Sequence, residues 1–182
     1  MMTESNNSLD NFEWLYDDVQ RSRNLLEKED SQFARRSYLR ALSAWYELTL
    51  SDLREKTAKL LVDRFELWGE WNLHEINPLL DEFSNLSGNG NLHLTPNRQP
   101  FLSLVAYTLK TFAKLTGYSG DVLSDHRWLS FQETIRIRHR ITHPKFHSSI
   151  EITDDELKTI DEGRAWWDEI LRSLGVLSSF SH

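Results

Sequence analysis

Cysteine is absent from the 182 residues of this chain. That removes disulfides, Cys-ligated zinc and thiol catalysis, and it fits a reducing or an oxidising compartment equally well. No glycine or proline occurs before Gly69, so the first third of the chain holds no strong helix breaker. Long apolar runs are missing too, and no segment approaches the length a membrane helix requires. The opening MMTESNNSLD is polar and acidic, with no basic stretch leading into an apolar one. These features predict a cytoplasmic protein with no membrane partner. Positive charge is also short: 21 Lys and Arg stand against 28 Asp and Glu, a net charge of −7. That balance argues against broad coating of nucleic acid or an anionic membrane, but leaves room for one local basic groove.

What is present is helical spacing. Residues Phe12, Leu15, Tyr16, Val19, Leu25 and Leu26 recur mostly at three and four, with Ser8 placed as a cap, and predict a first helix from Leu9 to about Lys28. A second pattern runs from about Phe33 to Trp68, long enough to span a domain. Residues 70–99 lose the period; Pro78 opens a short helix there, and the Gly-Asn steps of SGNGN suit a small hairpin. A third helix follows Pro100 and ends at Gly117. A fourth spans about Arg127–Thr142 behind Ser124 or Asp125. A fifth starts behind the capping-box pair Thr153 and Glu156 and stops at Gly175. The expectation is an all-α, up-and-down helical bundle of about five helices in one domain, residues 9–175, with 70–99 as an insertion after the long helix. Residues 1–8 are expected to be disordered, and 176–182 form a tail.

Positive charge gathers in one place. Between Arg136 and His147 stand Arg136, Arg138, Arg140 and Lys145, together with His139, His143 and His147, and no acid. Removing those four charges from the total leaves −11 for the rest of the chain. On the fourth helix, Trp128, Phe131 and Ile135 form an apolar stripe that Arg138 ends, while Ile137 and Ile141 form a parallel stripe that leaves Arg136 and Arg140 nearer solvent. A guanidinium cannot be buried unpaired, so Arg138 either pairs with a carboxylate or points into a polar cleft. Pro144 disfavours helical geometry at His143, so the imidazole sits where the helix unwinds.

Arginine and histidine converging without an acid pair or a metal-ligand set suit a phosphodiester. The planar guanidinium matches two phosphate oxygens and stabilises added charge at phosphorus, and imidazole moves protons near neutral pH. RNA brings its own nucleophile, the 2′-hydroxyl, so neither metal nor cofactor is called for.

The run Arg138-His139-Arg140-Ile141-Thr142-His143 resembles the R-x4-6-H signature of the HEPN superfamily, in which a polar residue commonly follows the arginine. The resemblance implies an all-α bundle, a homodimer with both motifs at a shared cleft, and metal-independent RNA cleavage leaving a 2′,3′-cyclic phosphate. It carries over Arg138 and His143 as the catalytic pair and His139 as the supporting neighbour. It also implies a toxin or defence role, with an inhibitor or antitoxin protein as a further partner. Arg136, Arg140, Lys145 and His147 are the RNA-binding candidates beside it. Two alternatives remain open. Arg138 pairs with Glu47 or Asp52 of the second helix while His143 is an exposed helix-end residue, or the chain is a catalytically silent helical module that binds a protein, nucleotide or RNA.

Other signals are bland. His74-Glu75 starts like a zinc-protease helix, but Pro78 occupies the place of the second histidine. SGNGN lacks the Lys-Ser/Thr of a phosphate loop, and Trp166 and Trp167 stand among acids, which suits packing rather than base stacking.

Overall fold

The computed structural model describes residues 5–68 and 73–177. The chain is all-α, as its spacing predicts. Five helices follow in order: α1 Ser5–Glu29, α2 Gln32–Trp68, α3 Phe101–Thr116, α4 Arg127–Thr142 and α5 Asp154–Ser173. The described sheet is one antiparallel hairpin in the 70–99 segment, β1 Glu82–Leu86 against β2 Leu92–Pro96, with Leu86 opposite Leu92. Gly90 supplies a positive φ of 82° in its turn. No described helix is long and apolar enough to cross a membrane.

Helix α1 begins at Ser5, so Ser8 lies inside it rather than capping it, and residues 5–8 of the expected disordered start are helical. That polar run contains no breaker to hold the helix back. Residues 1–4, and 178–182 of the expected tail, fall outside the described residues. The chain divides into two compact units, Met1–Thr49 with Ser124–His182, and Leu50–Leu123. The first half of α2 belongs to one and the second half to the other.

In the first unit, α1 turns into α2 over two residues. Asp30 takes a left-handed φ of 38°, and Ser31 Oγ accepts the Ala34 N–H at 3.1 Å, capping α2. Arg35, nearly enclosed, ties this joint to the start of α5 through Asp30 (2.8 Å), Asp154 (2.6 Å) and the Ile152 carbonyl (2.8 Å). A guanidinium so buried is tolerable because its donors are met. Nearby, Arg23 grips Asp161 at 2.6 and 2.7 Å, and Tyr38 donates to the same carboxylate at 2.9 Å. Burial, reinforced by the Asp161 charge, pushes the Tyr38 phenol up to about 12.

The core of this unit is aromatic. Phe131 of α4 stacks on Trp167 at 5.2 Å and meets Tyr46 and Trp166 at 5.0 Å each, and Trp167 donates to Thr49 Oγ1 at 3.0 Å. Both tryptophans are buried, as their expected packing role requires. Gly163 lets α5 approach α4 closely: a Cβ there would lie 2.9 Å from Phe131 Cα and 2.8 Å from Thr134 Oγ1. The expected capping box is present, with the Glu156 N–H donating to Thr153 Oγ1 and the Thr153 N–H to Glu156 Oε2.

In the second unit, Leu61, Ile76, Leu79 and Leu115 form a small apolar core. Arg54 bridges to the Leu79 carbonyl at 2.9 Å and to Asp81 at 2.8 Å. Gly117, with φ 74°, ends α3 in the left-handed conformation that glycine favours.

Candidate functional site at the C-terminal end of α4

Helix α4 is fixed at both ends. At its start, Asp125 Oδ1 accepts the Arg127 N–H at 2.8 Å, and its bonds to Arg127 lower the Asp125 carboxyl to about 2. Arg127 also reaches Glu169 of α5 at 2.9 Å. Between the ends, the buried residues are Phe131, Thr134, Ile137 and Ile141. Ile135, expected on the buried stripe, is only half-buried. The close approach at Gly163 selects the face that carries Thr134 instead.

At the far end, the helix unwinds where Pro144 demands it. His143 has φ −123° and ψ 64°, outside the helical region, while its N–H still reaches the His139 carbonyl at 3.0 Å. The His139 and His143 rings lie 5.0 Å apart, and both residues are exposed. Arg138 belongs to the same turn, with its side chain 37% exposed. Its guanidinium is held by Glu47 of α2, Nη2 to Oε1 at 2.6 Å. The fold thus brings Arg138, His139 and His143 to one helix end.

The other basic residues divide. Arg136 is exposed and pairs with Glu133 one turn back, at 2.9 Å. Lys145 is exposed, with no ion pair among the described residues. Arg140 departs from the expectation of a solvent-facing phosphate contact. It donates to the carbonyls of Ser149 and Glu151, each at 2.9 Å, and to Glu156 at 2.7 Å. The reason is the loop path: after Pro144 the chain folds back through a short 3-10 turn at His147–Ile150, and its carbonyls need donors. Arg140 therefore braces that loop against the start of α5. The side chain of His147 lies outside the described residues.

Glu47, Glu133 and Glu156 thus bring carboxylates to three of the four cations in a stretch that has no acid of its own. Among the described residues, no three of His, Asp or Glu converge as a metal set would.

Protein-family models, curated proteins and solved structures give no match to this chain. The chemistry of the site therefore rests on its own groups.

Two exposed neighbours of this turn escape sequence reasoning. On α2, Arg36, Arg40 and Glu47 recur at four and seven, one face of a helix. Glu47 holds Arg138 and Arg36 reaches the Ile150 carbonyl at 3.4 Å, so this face borders α4 and its following turn. Arg40, between them on that stripe, is exposed and has no ion pair among the described residues. Its seven-residue spacing from Glu47 is the signal that finds it. The second is Phe146, an exposed ring just beyond Pro144 and Lys145.

Proposed function

We propose that this chain is a metal-independent endoribonuclease of toxin or defence type, working at the C-terminal turn of α4. The observation that carries the reading is the exposed His139–His143 pair, 5.0 Å between rings, on the turn that also presents Arg138. In this reading His143 takes the proton of the RNA 2′-hydroxyl as that oxygen attacks the adjacent phosphorus. The 5′-oxygen leaves with a proton, giving a 2′,3′-cyclic phosphate and a 5′-hydroxyl end. Arg138 binds the non-bridging oxygens as charge builds on them, and His139 supports the imidazole beside it. The resemblance of Arg138 through His143 to the HEPN signature points the same way.

A homodimer belongs to this reading. One His143 carries one proton at a time, and a second copy placed by two-fold symmetry would supply the complementary acid. Sedimentation at micromolar concentration should then show a dimer, and a purely monomeric protein with full activity would remove that requirement. An inhibitor or antitoxin protein would act by covering the same turn.

The test is incubation of purified protein with mixed RNA in EDTA. Cleavage should persist, leave cyclic phosphate ends and spare DNA, which lacks the attacking oxygen. His143→Ala should lower the rate by about 10²- to 10⁴-fold, the usual worth of positioned proton transfer. Arg138→Lys should be nearly as damaging as Arg138→Ala, because a point charge does not reproduce the fork.

A second reading, a catalytically silent module that binds a protein, nucleotide or RNA, is favoured by the Arg138–Glu47 bond. A guanidinium engaged by a carboxylate is a structural tie as it stands. Equal RNA degradation by wild type and His143→Ala would make this the better reading.

A further inference from the structure

Phe146 is the most exposed large apolar side chain among the described residues, at 74%. An exposed ring on its own is ordinary; what surrounds it decides whether it has a use. Its surroundings separate it from Trp14. Trp14, 68% exposed, stands on α1 with Asp10, Glu13, Asp17 and Asp18 close in sequence, a setting that repels a polyanion. Phe146 follows Lys145 directly and lies three residues past His143; of the four cations in this stretch, Arg136, Arg138 and Arg140 are paired with glutamates, and exposed Lys145 has no ion pair among the described residues.

The backbone under the ring is firmly held. Ser149 N–H donates to the Phe146 carbonyl at 3.0 Å, and Phe146 N–H donates to Ser149 Oγ at 3.3 Å. The Ser149 carbonyl in turn accepts from Arg140 at 2.9 Å. The ring therefore rises from a turn that Arg140 braces onto α4.

A flat apolar face beside positive charge is what a single-stranded nucleic acid uses: the cations take the backbone and the ring takes a base. Bases inside an A-form duplex are stacked on each other and not available to it. We infer that Phe146 is a stacking platform for an unpaired nucleobase of single-stranded RNA, next to the phosphate handled at His143. This rests on the RNA-cleaving reading for the identity of the strand, and assigns it a requirement for unpaired sequence at the cut.

The test separates the two claims by using RNA that cannot be cut. Fluorescence anisotropy would follow a labelled single-stranded 2′-O-methyl oligoribonucleotide and the same oligomer annealed to its complement, with ordinary RNA cleavage measured in parallel. Wild type should favour the single strand. Phe146→Ala should weaken single-strand binding by about 5- to 150-fold, the range for one base–aromatic stack. Phe146→Trp should retain binding, and Phe146→Leu should lose it, because bulk without a π-face does not stack. Since the ring is exposed, all three variants should keep the wild-type circular dichroism and melting midpoint. Wild-type affinity in Phe146→Ala or Phe146→Leu, or no single-strand preference in wild type, would overturn the inference. If His143→Ala still cleaves while Phe146→Ala loses binding, the catalytic reading falls and the platform stands. If His143→Ala abolishes cleavage while Phe146→Ala binds normally, the platform falls alone.

Discussion

Arg138 of α4 and Glu47 of α2, 91 residues apart, meet at 2.6 Å. Both side chains are substantially exposed, so the pair contributes at most about 1 kcal/mol to stability. Its larger effect is on chemistry. A carboxylate on the guanidinium competes with any phosphate for the same group, and in the proposed RNA-cleaving reading the strand would have to displace it.

Glu47→Gln should therefore act as a release. It removes the competing charge and keeps the shape, so RNA affinity at low salt should rise, while the unfolding free energy moves by no more than about 1 kcal/mol. Binding isotherms for wild type and variant at matched ionic strength decide it. Unchanged or weaker RNA binding would mean that Glu47 positions Arg138 instead of restraining it.

Gly163→Ala should destabilise the fold, against the usual gain of alanine within a helix. The new Cβ would sit 2.9 Å from Phe131 Cα and 3.0 Å from its nitrogen, backbone atoms that shift only with the helix. Overpacking of this kind costs about 1–3 kcal/mol, as much as or more than the helix propensity returned, about 1 kcal/mol. Chemical denaturation measures the sum, and a stabilised variant would show that α4 and α5 part easily.

Much of this architecture is legible because its signals are local. The length of α2 follows from the lack of Gly and Pro between Gln32 and Trp68. Thr153 with Glu156 announces the start of α5, and Gly117 the end of α3. At the site, Pro144 marks the unwinding at His143. What the sequence cannot supply are partners set by tertiary packing. Glu47 is one of two possible mates for Arg138, and nothing local chooses between it and Asp52. Arg140 reads as solvent-facing because its acceptors, the carbonyls of Ser149 and Glu151, take their places only when the loop folds back. The two apolar stripes on α4 both reach the core, through Phe131 and through Ile137 and Ile141, and the burial of Thr134 between them, against Gly163 of α5, is a tertiary contact that no local signal announces.

Asp125 gives acid sensitivity a definite sign. Its folded pKa is lowered to about 2, chiefly by bonds from Arg127, whereas an unfolded aspartate titrates near about 3.9. A depressed carboxylate stabilises the fold above the unfolded value, and that contribution is lost as pH falls from about 4 toward about 2. Asp125→Asn should thus be less stable than wild type at neutral pH, with the gap closing across that window. Urea midpoints as a function of pH report it, and a gap that stays constant down to a pH of about 2 would contradict the linkage.

Arg140 and Arg136 provide the sharpest contrast, since they are four residues apart in one basic stretch and do different things. Arg140 spans three acceptors that join α4, the returning loop and the first turn of α5. Removing it takes a donor from two carbonyls and leaves Glu156 with its capping-box bond from the Thr153 N–H, and bonds from a charged donor are worth about 1.5–3 kcal/mol. Arg140→Ala should lower unfolding free energy by about that much and loosen amide protection through His147–Ile150. Arg136 has only the exposed Glu133 one turn away, so Arg136→Ala should stay within about 0.5 kcal/mol of wild type. On RNA the order should reverse in kind. Arg136→Ala should reduce the salt dependence of binding by about one phosphate contact, leaving the rate of the bound complex intact. Loss of Arg140 should disturb the rate itself, through the turn that carries Phe146 and the neighbouring His143. Equal stability losses in the two variants would mean that Arg140 is not the brace its bonds describe.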